Sequence, residues 1–436
     1  MNKKLLLAGL AGILSLATAC KKDDPSPKPT PTPQPGFTIE AKTTDLLQFD
    51  TVRLSAQGAK ADAKLSWVIN GKEVAEGKDY AFTQPRVGRY QVSLIDKTSG
   101  EKVSKDFSVT ARFTSGAFLL NEGNFGNETG TLTYIDASKQ FVLDSAYIRV
   151  NGTKLGNVCQ DMTFANGKVY IISQNGPKNG GEGLLTIADA KTLEKHKVIN
   201  DATLAKDWPT HIAVVHSRIY LRGNKGIYRG TEEGSFKLIP GTEKANKLRM
   251  VTIGELVIAT TSTNKLLVIQ DEEVKQTFTL PEGSPSGLAL APDGQLWLSY
   301  SKPNTLAKVS VSASGVKILD KHTTTQSLDK QWTATSAIFA RANQIFFTEQ
   351  SSVIYRHDFS TGETKEIVDV QKVDKQAKMY YNSLGIDPKT GHIYYASFGD
   401  YSTYKKNVTL ILDHDGKVLL KREHVNAFPA GFYFIP

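Results

Sequence analysis

From Ser115 onward one pattern returns at a nearly constant interval, and it restricts the fold more than any other feature of this chain. A short apolar strand meets a tight turn, a second apolar strand follows, and a polar break ends the unit. The instances run from Met162 to Ile172, Ile212 to Leu221, Val251 to Ile258, Leu288 to Leu298, Ile338 to Phe347 and Leu384 to Tyr395. With Gly167, Ser217, Gly254, Gly294, Asn343 and Gly391 as turn markers, the gaps are 50, 37, 40, 49 and 48 residues. A period of about 45 residues with four short strands per unit is the spacing of a β-propeller blade. A third strand follows in most units, as in Asn304 to Val311, and a fourth after that, as in Gly315 to Leu319.

Six units are complete and the seventh is split across the ends. Phe428 to Ile435 matches the innermost strands of other units, and Ala117 to Leu120, Gly130 to Ile135 and Phe141 to Ile148 are expected to supply the remaining three. Such a one-plus-three closure leaves no unpaired sheet edge at the seam. The expectation is an all-β fold with a seven-bladed β-propeller over residues 114–436.

The N-terminus points to a compartment. Asn2-Lys3-Lys4 precedes an apolar run from Leu5 to Leu16, and Ala17-Thr18-Ala19 leads directly into Cys20. This is a lipoprotein-type signal over residues 1–19, too short to span a bilayer, with Cys20 as the expected lipidation site. Alternating prolines from Pro25 to Pro35 then exclude helix and sheet interior, so residues 20–36 read as an extended tether. Residues 37–113 carry short alternating runs such as Thr51 to Ser55, Leu65 to Ile69, Tyr90 to Leu94 and Phe107 to Thr110, with an Asn70-Gly71 hairpin turn. Trp67 on a central run, followed by Gly88-Arg-Tyr-Gln-Val, is similar to a PKD/immunoglobulin-like β-sandwich, which would act as a spacer with Trp67 as core.

Charge and cysteine narrow the partners. The formal net charge is +9, of which Lys3 and Lys4 would leave with the signal. The remaining lysines are scattered along turns, so no nucleic-acid partner is expected. With Cys20 acylated, Cys159 has no cysteine left to pair with and should pack as a small hydrophobe.

In a propeller, the loops leading into the inner strands and those between second and third strands open on one face. That mapping nominates Asn121, Asn124, Phe125, Gln174, Asn175, Trp208, His211, Arg222, Tyr300, Trp332, Tyr381, Phe398, Tyr401 and Phe428 as ligand-contacting residues. Aromatic planes among amides, with few charges, suit a large polar-rimmed ligand. No catalytic constellation is expected. His211 is the one histidine placed at the channel, and Glu122, Asp161 and Glu349 come from different units without metal-ligand spacing. No metal or cofactor is expected either.

A lipobox, a tether and a propeller that opens on Leu120-Asn-Glu-Gly-Asn-Phe-Gly126 resemble the outer-surface, YncE-like propeller lipoproteins of the Bacteroidota, including the cobalamin-binding BtuG type. The acidic Lys22-Asp23-Asp24 after Cys20 resembles the export signal of those lipoproteins, and Ser397-Phe-Gly-Asp-Tyr-Ser402 adds to the likeness. The resemblance implies an outer-membrane protein, lipid-anchored and facing the cell exterior. It would capture cobalamin or another corrinoid in the propeller mouth and pass it to a TonB-dependent outer-membrane transporter. Cobalamin would be a ligand, not a cofactor. Two other readings stay open: a propeller hydrolase of the lactonase kind using Glu122, Asp161, Asn175 and Glu349, and a protein- or glycan-binding adhesin.

Overall fold

The computed structural model describes residues 36–329, 336–349, 351–380, 383–425 and 428–436. From Ala117 on, the strands form seven four-stranded antiparallel sheets, the blades of a propeller. Their inner strands are Pro429–Phe434, Cys159–Ala165, His211–Val215, Val251–Ile253, Ser284–Leu290, Ile338–Arg341 and Leu384–Ile386, which define blades 1 to 7 in that order.

Each blade is made by its own residue pattern. Second strands such as Lys168–Ser173 and Leu256–Thr260 are apolar almost throughout, because both sheet faces pack on neighbouring blades. Outer strands alternate instead, as in Glu273–Thr279, because one face meets water. One apolar cluster joins Tyr170 and Ile172 of blade 2 to Ile212 and Ile219 of blade 3, so the core is a ring of inter-blade layers. The hairpin glycines Gly167, Gly254, Gly294 and Gly391 all have positive φ. In blades 3 and 6 the left-handed residue is His216 and Ala342, one place before the markers chosen from the sequence.

The ring closes through the C-terminal strand. Pro429–Phe434 pairs antiparallel with Ala117–Asn121, placing Phe434 opposite Ala117, and the Ile435 N–H donates to the Gly116 carbonyl at 3.0 Å. One correction concerns the outermost strand of this blade. It is only Phe141–Leu143, and the chain then forms a helix over Ala146–Asn151. The break is local: Ser145 is left-handed at φ 56°, and the Asp144 carboxylate accepts from Thr133 Oγ1 at 3.0 Å instead of extending the ladder. The helix then buries Ala146, Tyr147 and Val150 on one face.

Before the propeller lie two smaller sheets, one of three strands and one of five. They share a core in which Leu54 and Phe82 of one sheet meet Trp67, Leu94 and Phe107 of the other. Trp67 is fully buried and its indole N–H donates to the Gly77 carbonyl at 2.9 Å. Asn70 and Gly71, with φ of 45° and 85°, form the hairpin turn.

Candidate functional site

Two ends of the channel differ in make-up. On the loop face, the blade 1 loop after Asn121 is held by an asparagine knot. Asn157, fully buried, donates from Nδ2 to the Asn124 carbonyl at 3.0 Å and accepts from Asn175 Nδ2 at 2.7 Å. Asn124 Oδ1 accepts from the Gly126 N–H at 2.8 Å, which turns the loop so that Phe125 projects outward, 53% exposed. Lys178 Nζ sits 3.5 Å from the Phe125 ring centroid, and Asn179 Nδ2 donates to the Phe125 carbonyl at 3.2 Å. Asn157, which holds this arrangement, was not singled out in the sequence. An Asn just before an inner strand is the only signal it left.

Beside this loop lies an aromatic cluster. Phe428 packs against Phe398, Tyr401 and Tyr404 at centroid distances of 5.5, 5.8 and 4.8 Å. Asp400 shapes the loop that carries the two tyrosines. Its Oδ1 accepts from the Ser402 and Thr403 N–H groups at 2.7 and 2.8 Å, and the Ser402 hydroxyl first, with these backbone bonds, holds its carboxyl down to about 2. Lys405 pairs with Glu128 and so ties this loop to that of blade 1. Tyr401 remains 53% exposed. On blade 3, Trp208 is 48% exposed and adopts a left-handed φ of 53°.

The other nominated residues are less available. Asn121, His211, Tyr300 and Phe398 are at most 1% exposed, and Gln174 is buried. Tyr300 belongs to an inter-blade cluster with Leu288 and Leu298 and is fully buried. His211 Nδ1 is 3.0 Å from Thr210 Oγ1. Arg222 is half-buried and donates from Nε to the Ala245 carbonyl at 3.2 Å. Burial pushes Arg222 and its neighbour Lys247 below their ordinary values, with Glu122 opposing the shift at Lys247. Cys20, Trp332 and Tyr381 lie outside the described residues. Cys159 is fully buried, and burial pushes its thiol up, so it packs as a small hydrophobe.

The acidic residues do not assemble. Glu122 accepts from Gln160 Nε2 at 2.7 Å, and Glu349 accepts from the Ser327 N–H at 2.7 Å. Asp161 is fully buried on the inner strand Cys159–Ala165. It accepts from the Tyr433 hydroxyl at 2.6 Å and the Ile212 N–H at 3.1 Å, and Arg249 Nε lies 3.4 Å away. Arg249 also stacks over the Tyr433 ring at 4.5 Å, so one tie joins blades 1, 2, 3 and 4. Burial pushes the Asp161 carboxyl up against the pull of Arg249. Among the described residues, no group of three His, Cys, Asp or Glu side chains could hold a metal ion.

Toward the hairpin-turn end, the inner strands line a cavity of about 360 Å³. Met162, Phe164, Leu288, Ile338, Phe339 and Phe432 give it apolar walls, and Arg249 and Ser336 are polar groups at its lining. None of the nominated residues that the structure describes lines it.

Comparison with known proteins agrees with the architecture. A family model described as "Domain of unknown function (DUF5074)" matches residues 115–435. A crystal structure of a quinonprotein alcohol dehydrogenase-like protein from Bacteroides thetaiotaomicron is similar with a TM-score of 0.58 at 16% identity, over 92% of this chain and 99% of that one. That coverage exceeds the family match, so the likeness in fold extends into the N-terminal sheets. AztD from Citrobacter koseri has a TM-score of 0.42 at 13% identity, over 85% and 97% of the two chains. An inactive virginiamycin B lyase from Staphylococcus aureus with quinupristin has 0.37 at 14%, over 81% and 97%. No curated protein matches the sequence.

Proposed function

We propose, from the premise that this chain belongs to the DUF5074 family, a domain of unknown function, that it is a surface-exposed ligand-binding lipoprotein. It captures a large nutrient, best read as cobalamin or a related corrinoid, on the loop face and passes it to a TonB-dependent outer-membrane transporter. On this reading Cys20 is lipidated, residues 20–36 are a tether, and the PKD/immunoglobulin-like N-terminal sheets are a spacer.

The observation that carries the reading is the set of aromatic groups left in solvent on one face. Phe125, Trp208 and Tyr401 are each about half exposed, at 53%, 48% and 53%. Trp208 also occupies a left-handed conformation that costs on the order of 1 kcal/mol in a non-glycine residue. Each ring offers a flat apolar surface worth about 1–3 kcal/mol once a ligand covers it. Asn124, Asn175 and Arg222 supply donors and acceptors at the rim. Capture then needs burial of one ligand face and no chemistry.

Calorimetric titration with cyanocobalamin is the test. Saturable heat at micromolar protein supports the corrinoid, and its absence overturns that ligand. Heat with haem or an oligosaccharide instead would keep capture and replace the ligand. Cys20→Ser should move the protein from the membrane fraction to the soluble fraction. Retention in the membrane would remove lipid anchoring from the proposal.

A further inference from the structure

The cavity at the hairpin-turn end of the channel is separate from the loop face. Its lining includes the far halves of inner strands, with Phe164 ahead of the Asn166-Gly167 turn, Leu290 of blade 5, Ala340 of blade 6 and Phe434 of blade 1, and reaches up to Arg249 and Ser336, which precede theirs. The volume, about 360 Å³, falls in the range of small-molecule sites. The walls are mostly apolar, with the hydroxyls of Thr163, Thr252 and Ser336 among them, and among the described residues the one charged side chain at the lining is Arg249, which keeps 24% of its surface.

Arg249 is not used up by its neighbours. A guanidinium has five N–H donors. Among the described residues, the contacts it makes are with Asp161, through Nε at 3.4 Å, and with the face of the Tyr433 ring. Asp161 in turn has its charge covered by Tyr433, the Ile212 N–H and Arg249 together. The tie thus fixes the guanidinium in place beside the apolar chamber and leaves donors for a further acceptor.

We propose that this chamber is a second binding site, for a small amphiphile with a flat apolar body of one or two rings and one anionic group. The body lies against Met162, Leu288, Ile338 and Phe432, and the anion accepts from Arg249. Burial of the ring system supplies affinity. The charge-assisted bond supplies preference for an anion over the same skeleton without one.

Two fluorescent probes that share a skeleton test this directly. 1-Anilinonaphthalene-8-sulfonate carries an anionic group, and N-phenyl-1-naphthylamine is its neutral counterpart. The purified protein should bind the sulfonate saturably and at least about tenfold more tightly than the neutral probe. Arg249→Lys keeps a charge for Asp161 but loses the planar fork, so the ratio should shrink several-fold. Thr252 lines the cavity, so Thr252→Trp fills the chamber and should abolish binding of both probes. Ala340→Phe serves the same purpose if Thr252→Trp does not fold, with circular dichroism as the check on folding. Equal affinity for the two probes overturns the proposal. So does binding that survives the filled chamber, or that is lost in Tyr401→Ala instead. Cyanocobalamin titration of Thr252→Trp should be unchanged, so the two sites stand or fall separately.

Discussion

On the proposed reading, Trp208 and Tyr401 are the residues on which ligand capture would depend most. Replacing either by Ala removes a large exposed ring without touching the core, so thermal stability should hold while cyanocobalamin affinity falls about tenfold for each. A calorimetric isotherm unchanged in the double variant would move the site off this face. A different residue-scale effect concerns His357, which is 1% exposed. Its Nε2 is 2.8 Å from His322 Nδ1 and its Nδ1 is 2.9 Å from Thr364 Oγ1. Burial first, and His322 second, push its pKa below the ordinary 6.5, while Asp358 pulls the other way. With the folded pKa depressed, the unfolded chain takes up the proton first as pH falls. The stability held by neutral His357 is therefore present above pH 6.5 and is lost as pH drops below it. Melting temperature should fall between pH 7.5 and 5.5, and His357→Gln should make that fall shallower. An identical slope in the variant would assign the pH dependence elsewhere.

Among the elements, the closing strand Pro429–Phe434 has the largest effect. It buries Ala430, Phe432 and Tyr433 and supplies the whole inner strand of blade 1. Ending the chain at Val425 exposes the edge of Ala117–Asn121 and leaves Asp161 without its Tyr433 donor. Two buried aromatic side chains alone are worth about 3–6 kcal/mol, close to the stability of many domains. The truncated chain should lack a cooperative urea transition, and a wild-type-like transition would refute the closure. The loop from Asn121 into the next strand depends on Gly130 for a different reason. A Cβ there would lie 2.3 Å from Cys159 Sγ and 2.9 Å from the Asn121 carbonyl oxygen. Gly130→Ala should cost about 1–3 kcal/mol in urea unfolding, and Cys159→Ala in the same chain should recover part of it. Additive losses would show that the two side chains do not compete for the space.

Over the whole molecule, the question is whether the N-terminal sheets and the propeller unfold as one. Arg112 is buried and joins Asp50 and the Gln48 carbonyl to the start of the propeller. Gln48 Nε2 donates to the Thr192 carbonyl at 3.0 Å, and Arg86 Nε donates to the Val150 carbonyl at 3.1 Å. Phe113 packs on Phe49 on one side and on Phe118 and Tyr134 on the other. Contacts of this number should give one calorimetric transition. Arg112→Ala removes bonds worth about 1.5–3 kcal/mol and should separate that transition into two. A single transition at an unchanged temperature in the variant would show that the junction does not couple them.

The sequence determined by itself what depends on local pattern. The recurrence of paired apolar strands specified the blades, and Phe428 to Ile435 specified the closure, because strand burial imposes a period that a single chain displays. Asn124 and Phe125 were legible as loop residues for the same reason. Local pattern failed where side chains from distant segments decide the outcome. Tyr300 reads in the sequence as following a second strand, yet it lies within the strand Leu296–Ser301 and inter-blade packing buries it completely. Asn157 looked ordinary and proved to hold the blade 1 loop through bonds to Asn124 and Asn175. The cavity at the turn end belongs wholly to this second class. Arg249, Asp161 and Tyr433 are far apart in the chain and meet only after the ring has closed, because closure brings the inner strands of blades 1, 2 and 4 around one axis.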